Sequence, residues 1–282
     1  MKYVSMLAAL LMSAALTGCG GNVKFQDRPP ALLNNEVEYS IISTVRSETD
    51  IFAQAKNINK SVPIYYFQNF GGGGAGLGLL LGPIGVAANY AMISSNTDND
   101  AAALAGKISL SPTDITGAVL EDNNKFVQRT DSTTGFLMSP YLMIVKGDND
   151  MLQFTTTLDV ASGTWKGRYS YHLDFKRPLN AVAAGLDQTD LDLMKRSMEH
   201  GFKEALAMFE SDISGTLAPV KDITFYSESV SPRFKMPVIA KLVEDVNNEV
   251  IVLGPGGSDQ FNLILSSGYH KLRKNESEIS NR

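Results

Sequence analysis

Residues 140–176, PYLMIVKGDNDMLQFTTTLDVASGTWKGRYSYHLDFK, decide the fold. Tyr141 to Val145 is an unbroken apolar run suited to a central strand, and Gly147-Asp148-Asn149-Asp150 is built of residues that tolerate tight turns. Leu152, Phe154, Thr156, Leu158 and Val160 then share one face of a second strand. After Ser162-Gly163, Trp165, Tyr169, Tyr171, Leu173 and Phe175 share a face, while Lys166, Arg168, Ser170, His172, Asp174 and Lys176 take the other. This period of two predicts an antiparallel meander with one aromatic, buried side and one polar side facing water.

Such a sheet needs a cover. Thr189 to Asp192 fits a capping box, and Leu191, Met194, Met198, Phe202, Ala205, Phe209 and Ile213 recur every three or four residues up to Gly215. The spacing predicts a helix of about seven turns whose two methionines fill gaps in a core. Upstream, Ser111-Pro112-Thr113-Asp114 offers a cap, a proline at the first helical position and an acidic first turn. With Ile115, Ala118, Val119 and Phe126 as an apolar stripe, a short second helix follows. Glu36 to Arg46 alternates with Val37, Tyr39, Ile41 and Val45 on one face, and Val62 to Phe70 is a further strand-like run. Beyond Pro219 the polar stretch Ser227 to Pro232 marks a boundary. Val238 to Val246 and Glu249 to Leu253 then read as a hairpin turning at Asn247-Asn248, Phe261 to Leu265 as another strand, and Lys271 to Arg282 as a charged, frayed tail. The expectation is an α+β fold: an antiparallel sheet with two helices on one face over 36–226, plus a small β-rich C-terminal unit over 227–282.

One stretch does not belong to this pattern. Ser61 to Thr97 contains no charged residue and no histidine, and within it Gly74, Gly78 and Gly82 fall at intervals of four. That small-xxx-small spacing leaves a flat strip on a helix where another backbone can approach closely. As one helix, Gly71 to Ser94 would be about 36 Å long against a hydrocarbon core of about 30 Å. Four glycines at the start and Pro83 near its centre argue for a broken or hairpin form instead. Three readings stand: a buried core segment or loop, a membrane-inserted or self-associating surface, and a dinucleotide fingerprint at Gly71, Gly73 and Gly76, which is set aside as a lone match in a glycine-rich tract.

Of 282 residues, 44% are hydrophobic and 20% charged, an ordinary globular composition. A net charge of −5 with scattered lysines and arginines excludes nucleic acid as a main partner. At the N-terminus, Lys2 precedes an apolar run from Val4 to Leu16 that is short for a membrane span, and then Leu16-Thr17-Gly18-Cys19. This resembles a bacterial lipoprotein signal peptide with its lipobox. The resemblance implies cleavage between Gly18 and Cys19, and a diacylglycerol and N-acyl chain on Cys19 as the only covalent additions. It also implies a periplasm-facing or surface-exposed position at the outer membrane, since Gly20 rather than Asp follows the cysteine. Each buried lipid CH₂ contributes about 0.8 kcal/mol, so several chains hold a protein firmly on the bilayer. Cys19 is the one cysteine, so the mature chain has no internal disulfide and no cysteine-based metal site. Residues 20–35, with Arg28-Pro29-Pro30, read as a tether.

No catalytic motif, metal-binding spacing or cofactor fingerprint is found in the chain. His172 and Asp174 could pair on the polar strand face, though two solvated surface residues is the plainer reading, and His200 sits beside Glu199 off the apolar helix stripe. The order strand, helix, three-strand meander, long helix is similar to that of envelope lipoproteins of the curli secretion channel class. The expectation is a non-enzymatic, outer-membrane-anchored assembly component that contacts the bilayer through Cys19. Its glycine stretch, at Gly74, Gly78 and Gly82, would serve self-association, an envelope partner or membrane insertion. The alternative is a lipoprotein that binds a small ligand, glycan or peptide at the polar sheet face, with a hydrolase as the third class.

Overall fold

The computed structural model describes residues 24–30, 36–43, 45, 55–68, 82–129, 135–230, 237–256 and 267–281. The signal peptide, Cys19, residues 69–81 and the run Phe261 to Leu265 lie outside them. Among the described residues the fold is α+β, with four helices and one large, mostly antiparallel sheet.

The meander forms as its pattern dictates: β5 (Phe136–Lys146), β6 (Met151–Ser162) and β7 (Trp165–Pro178) pair in sequence order, antiparallel. The first hairpin turns through Asn149 and Asp150, both with positive φ, a conformation that Asn and Asp accept more readily than other side chains. β1 (Val37–Ile41) and β3 (Ile64–Phe67) lie parallel to β5 along the same edge. β1 takes the first part of that edge and β3 the last, and their outer neighbours are β4 (Phe126–Gln128) and β2 (Lys56–Asn57).

The long helix, α4 (Gln188–Ile213), covers the aromatic face and buries Met194, Met198, Phe202, Ala205 and Phe209. Its cap is Asp187, whose carboxylate accepts from the Asp190 amide at 2.8 Å, two residues ahead of the expected box at Thr189. Gly215 ends it with φ +74°. Phe209 is fully buried and packs its ring against Phe136 (5.1 Å between centroids), Tyr169 (5.5 Å) and Phe126 (6.4 Å). The shorter α2 (Pro112–Glu121) starts as its sequence predicts, with the Ser111 hydroxyl accepting from the Asp114 amide and Pro112 at the first position. Its buried stripe is Pro112, Ile115, Thr116, Val119 and Leu120, with Ala118 exposed. Between β7 and α4 lies the one-turn α3 (Leu179–Ala184).

α1 (Gly82–Leu104) departs from expectation. The helix runs ten residues past Ser94, the end of the expected apolar segment, because Ile93, Thr97, Ala101 and Leu104 form a buried stripe and Thr97 returns its hydroxyl to the Ile93 carbonyl at 2.7 Å. Pro83 is the second residue of this helix, and residues 71–81, over which a broken or hairpin form is expected, lie outside the described residues.

The C-terminal strands extend the same sheet. Its order is β12-β8-β9-β10-β11-β7-β6-β5-β1-β4, with β8 (Lys221–Ser227), β9 (Val238–Val246), β10 (Glu249–Gly254), β11 (Gly268–Arg273) and β12 (Ser277–Asn281). β9 and β10 form the expected hairpin, with Asn247 (φ 52°) and Asn248 (φ 65°) in the left-handed region that a two-residue turn requires. The tail is not frayed as expected: residues 268–281 supply β11, which pairs with β7, and β12, which pairs with β8.

This sheet is strongly curled. In a flat sheet β8 and β6, five positions apart in strand order, would lie roughly 24 Å from each other. Instead Glu228, directly after β8, accepts from the Gln153 amide of β6 at 2.9 Å, and the Phe225 ring lies 6.4 Å from the His270 ring. The curl overturns the expectation of a wet face on β7. Arg168, Ser170 and His172 are 6%, 2% and 4% exposed, because Ile223, Phe225, Ala240, Leu242, Val250 and Val252 build a second apolar cluster over that side. Of the expected polar row, Asp174 is exposed and Lys166 and Lys176 are half-buried.

Candidate functional site

Three constellations have chemistry to examine, and the first is the N-terminal segment Lys24 to Arg28. It is not a free tether along this length; it is strapped into the fold. The Gln26 amide nitrogen donates to Asp212 Oδ2 at 3.2 Å and to the Tyr169 hydroxyl at 3.3 Å, and its carbonyl accepts from the Arg168 backbone at 2.8 Å. The Trp165 indole donates to the Asp27 carbonyl at 2.9 Å, and the Gly256 amide to the Lys24 carbonyl at 2.8 Å. Phe25 lies under the Lys241 ammonium, 4.8 Å from its ring centre. Gly167 makes this approach sterically open: a Cβ there would stand 2.7 Å from the Trp165 ring and 2.8 Å from the Gln26 amide. At the centre is Asp212, a nearly buried carboxylate in the last turn of α4, where the helix dipole disfavours an anion. Tyr169 donates to it at 2.7 Å and Tyr269 at 3.4 Å, with their rings stacked 5.7 Å apart. Burial pushes the Asp212 carboxyl up, and these donors pull it part of the way back.

The second constellation joins the two ends of the uncharged stretch. Asp100, on the docked half of α1, accepts from the Tyr66 hydroxyl at 2.7 Å and from the Gln68 amide at 3.1 Å, and pairs with Lys146 at the end of β5. Gln68 is the residue after β3, so the chain leaves the sheet and returns to it at one place. Of the expected contact residues, Gly74 and Gly78 lie outside the described residues, as do Gly18 and Cys19, and Gly82 is the first residue of α1.

The third is the buried polar side of the meander. The Arg168 guanidinium forms a two-pronged pair with Asp159 at 2.7 and 2.9 Å, and its third arm reaches Ser267 at 2.8 Å. Burial disfavours its charge, but Asp159 outweighs that effect and its pKa is raised. Thr157 and Ser170 share a hydrogen bond at 3.1 Å, and His172 Nε2 shares one with His270 Nδ1 at the same distance. His172 therefore pairs with His270 and not with Asp174, whose carboxylate meets Arg273. Its Nδ1 has no hydrogen-bond partner among the described residues. At the rim of this interior a cleft of about 310 Å³ is lined by Gln153, Lys176, Tyr226, Glu228, Glu276 and Glu278, with Lys176 bonded to Glu276 at 2.7 Å. His200 lies apart from all three, 3.2 Å from the Tyr171 hydroxyl. Among the described residues no group of three or more His, Cys, Asp or Glu side chains could hold a metal.

Burial, with His270 and Lys176 adding to it, holds His172 well below the ordinary histidine value, so it is neutral in the fold. The unfolded chain binds a proton there below about pH 6.5, and the fold does not, so this contribution to stability is full above that pH and lost as pH falls. Urea unfolding between about pH 7.5 and 5 should show wild type losing up to about 1.4 kcal/mol per pH unit more than a His172→Gln variant. Parallel curves would mean His172 is protonated in the fold.

No family, curated protein or solved structure matches the chain. Among the described residues no helix is long and apolar enough to cross a membrane. Gln26, Asp212, Tyr269, Asp100 and Asp159 are among the residues of these constellations that sequence reasoning does not single out.

Proposed function

We propose that the chain is an outer-membrane-anchored lipoprotein, held through acylated Cys19, that serves as a non-enzymatic assembly component of the cell envelope. Its uncharged stretch is the surface through which copies associate or enter the bilayer. The observation that carries this reading is the shared root at Asp100. Bonds from Tyr66 and Gln68 to one carboxylate of α1 fasten the chain on either side of residues 69–81 at one place on the body. An uncharged excursion with glycines at 74, 78 and 82 suits close backbone packing better than contact with water. The ion pairs inside the body agree with a structural role: all three nitrogens of the Arg168 guanidinium are engaged by Asp159 and Ser267, and Lys271 on β11 ties Glu204 of α4 to Glu249 of β10.

The test is the size of the lipidated protein in mild detergent. Oligomers are expected for wild type and their loss for Gly78→Leu, with the far-ultraviolet spectrum unchanged. Oligomers that persist in Gly78→Leu, or a monomeric wild type, would contradict self-association.

The rim cleft favours a second reading, binding of a small polar ligand, because its volume falls at the lower end of ordinary ligand sites. That reading requires a monomer indifferent to Gly78→Leu. Its contact residues would be Lys176 and Glu228, half-buried at the cleft, in place of Arg168 and His172, whose burial makes them structural.

A further inference from the structure

We infer that the end of the fold holding the strap is a lipid-facing surface. With Lys24 to Arg28 docked, the β6–β7 turn at Gly163-Thr164 and the C-terminal end of α4 lie towards anionic headgroups. The inference rests on the proposed acylation of Cys19 and goes beyond it by fixing which side of the body meets the bilayer.

Chain length carries the first part of the argument. Lys24 follows Cys19 by five residues, so even fully extended chain holds the docking slot within about 18 Å of the acylated residue. A tether free through Asn35 would reach roughly 55 Å and impose no orientation. The body is large against the shorter figure: α4 alone has 26 residues, about 39 Å of helix, and it ends in the slot at Asp212. Five hydrogen bonds and the Phe25–Lys241 contact fasten the strap, so the restriction is built into the fold.

Charge carries the second part. Lys24 and Arg28 are exposed in the strap, Lys166 adjoins the Trp165 that binds it, and Lys241 sits over Phe25. Against these four cations stand Asp27 in the strap, Asp222, paired in register with Lys241 on β8, and the Asp212 carboxylate held by Gln26 and the two tyrosines. The opposite end of α4 begins with Asp187, Asp190 and Asp192, with Asp190 paired to Arg177 and Lys195 and Arg196 following. In a chain of net charge −5, the excess of cations at the strap end turns that end towards an anionic surface, within a Debye length of about 10 Å.

The experiment uses the full lipidated chain in vesicles of phosphatidylethanolamine and phosphatidylglycerol, with a quencher on the lipid headgroups. Cys19 is blocked by its thioether, so single Thr164→Cys and Lys195→Cys variants accept a fluorophore at the strap end and on the N-terminal half of α4; both positions are exposed. Flotation with the vesicles reports anchoring independently. Quenching several-fold stronger at position 164 than at 195 is expected, and Gln26→Ala should shrink that difference while flotation is unchanged. Chains that float but quench equally at both positions, or more at 195, overturn the orientation and leave anchoring intact. A difference that survives Gln26→Ala together with Trp165→Phe overturns the strap as its cause. A full chain that is recovered without acyl groups on Cys19 and fails to float removes the anchoring reading and this one with it.

Discussion

Replacing Asp159 with alanine is expected to lower the unfolding free energy by about 3–5 kcal/mol, the range for removing one partner of a buried ion pair. Asp159 is 1% exposed and Arg168 6%, so the variant would leave a guanidinium in the sheet interior without its carboxylate, with the Ser267 hydroxyl still accepting from it. The guanidinium cannot escape by losing its proton, because its pKa is far above any working pH. A double variant, Asp159→Leu with Arg168→Met, removes both charges and should recover most of the loss, since an apolar pair of similar volume often equals a buried salt bridge. Urea unfolding of the three proteins measures this. A single-variant loss below about 1 kcal/mol would mean that water reaches the pair and that the sheet is not closed over this face.

Gly201→Val is expected to cost about 3 kcal/mol, the upper part of the range for overpacking a core. Gly201 is the place where α4 comes closest to the sheet: an added Cβ would stand 2.7 Å from the Leu173 methyl and 3.3 Å from Thr156 Cβ, with the Thr156 hydroxyl closer still. Two effects oppose each other here. A helical glycine gives up roughly 1 kcal/mol of propensity relative to alanine, so in open space a substitution would stabilise. The clash wins because Thr156 sits on a central strand paired to β5 on one side and β7 on the other, and cannot withdraw. Thermal unfolding of Gly201→Val, alone and with Leu173→Ala, checks this. The double variant should be more stable than the sum of the two losses, and additive losses would show that the two side chains do not meet.

Local signals in the sequence are sufficient for the meander, the two capped helices and the β9–β10 hairpin. The alternation in β6 and β7, the Ser111-Pro112 helix start, the apolar stripe of α4 and the Asn247-Asn248 turn are each set by residues adjacent in the chain or one helical turn apart. The run Lys221 to Ser227 also carries a readable signal in Ile223 and Phe225, although polar neighbours mask it as part of a boundary. What was not legible is non-local. A period of two says which side chains of β7 share a face, but whether Arg168 and His172 meet water depends on β8 and β9 folding back from more than fifty residues away. The strap is invisible for another reason: it is held by backbone carbonyls of Lys24 and Asp27 and by one amide side chain, none of which leaves a periodic pattern. Asp100 reads as one more acid in a polar run until α1 brings it beside Tyr66 and Gln68.

The central claim, that the excursion between Gln68 and the docked half of α1 is shielded at the membrane, is tested most directly by placing a cysteine at Gly78 in the Cys19-acylated chain. Membrane-impermeant maleimide would then be applied to intact outer membranes and to protein in mild detergent. The account predicts protection in the membranes; loss of protection in detergent assigns the shield to lipid, and its persistence until unfolding assigns it to a second copy. Ready labelling in both would contradict the account and leave the rim cleft at Gln153, Lys176 and Glu228 as the place to look for function.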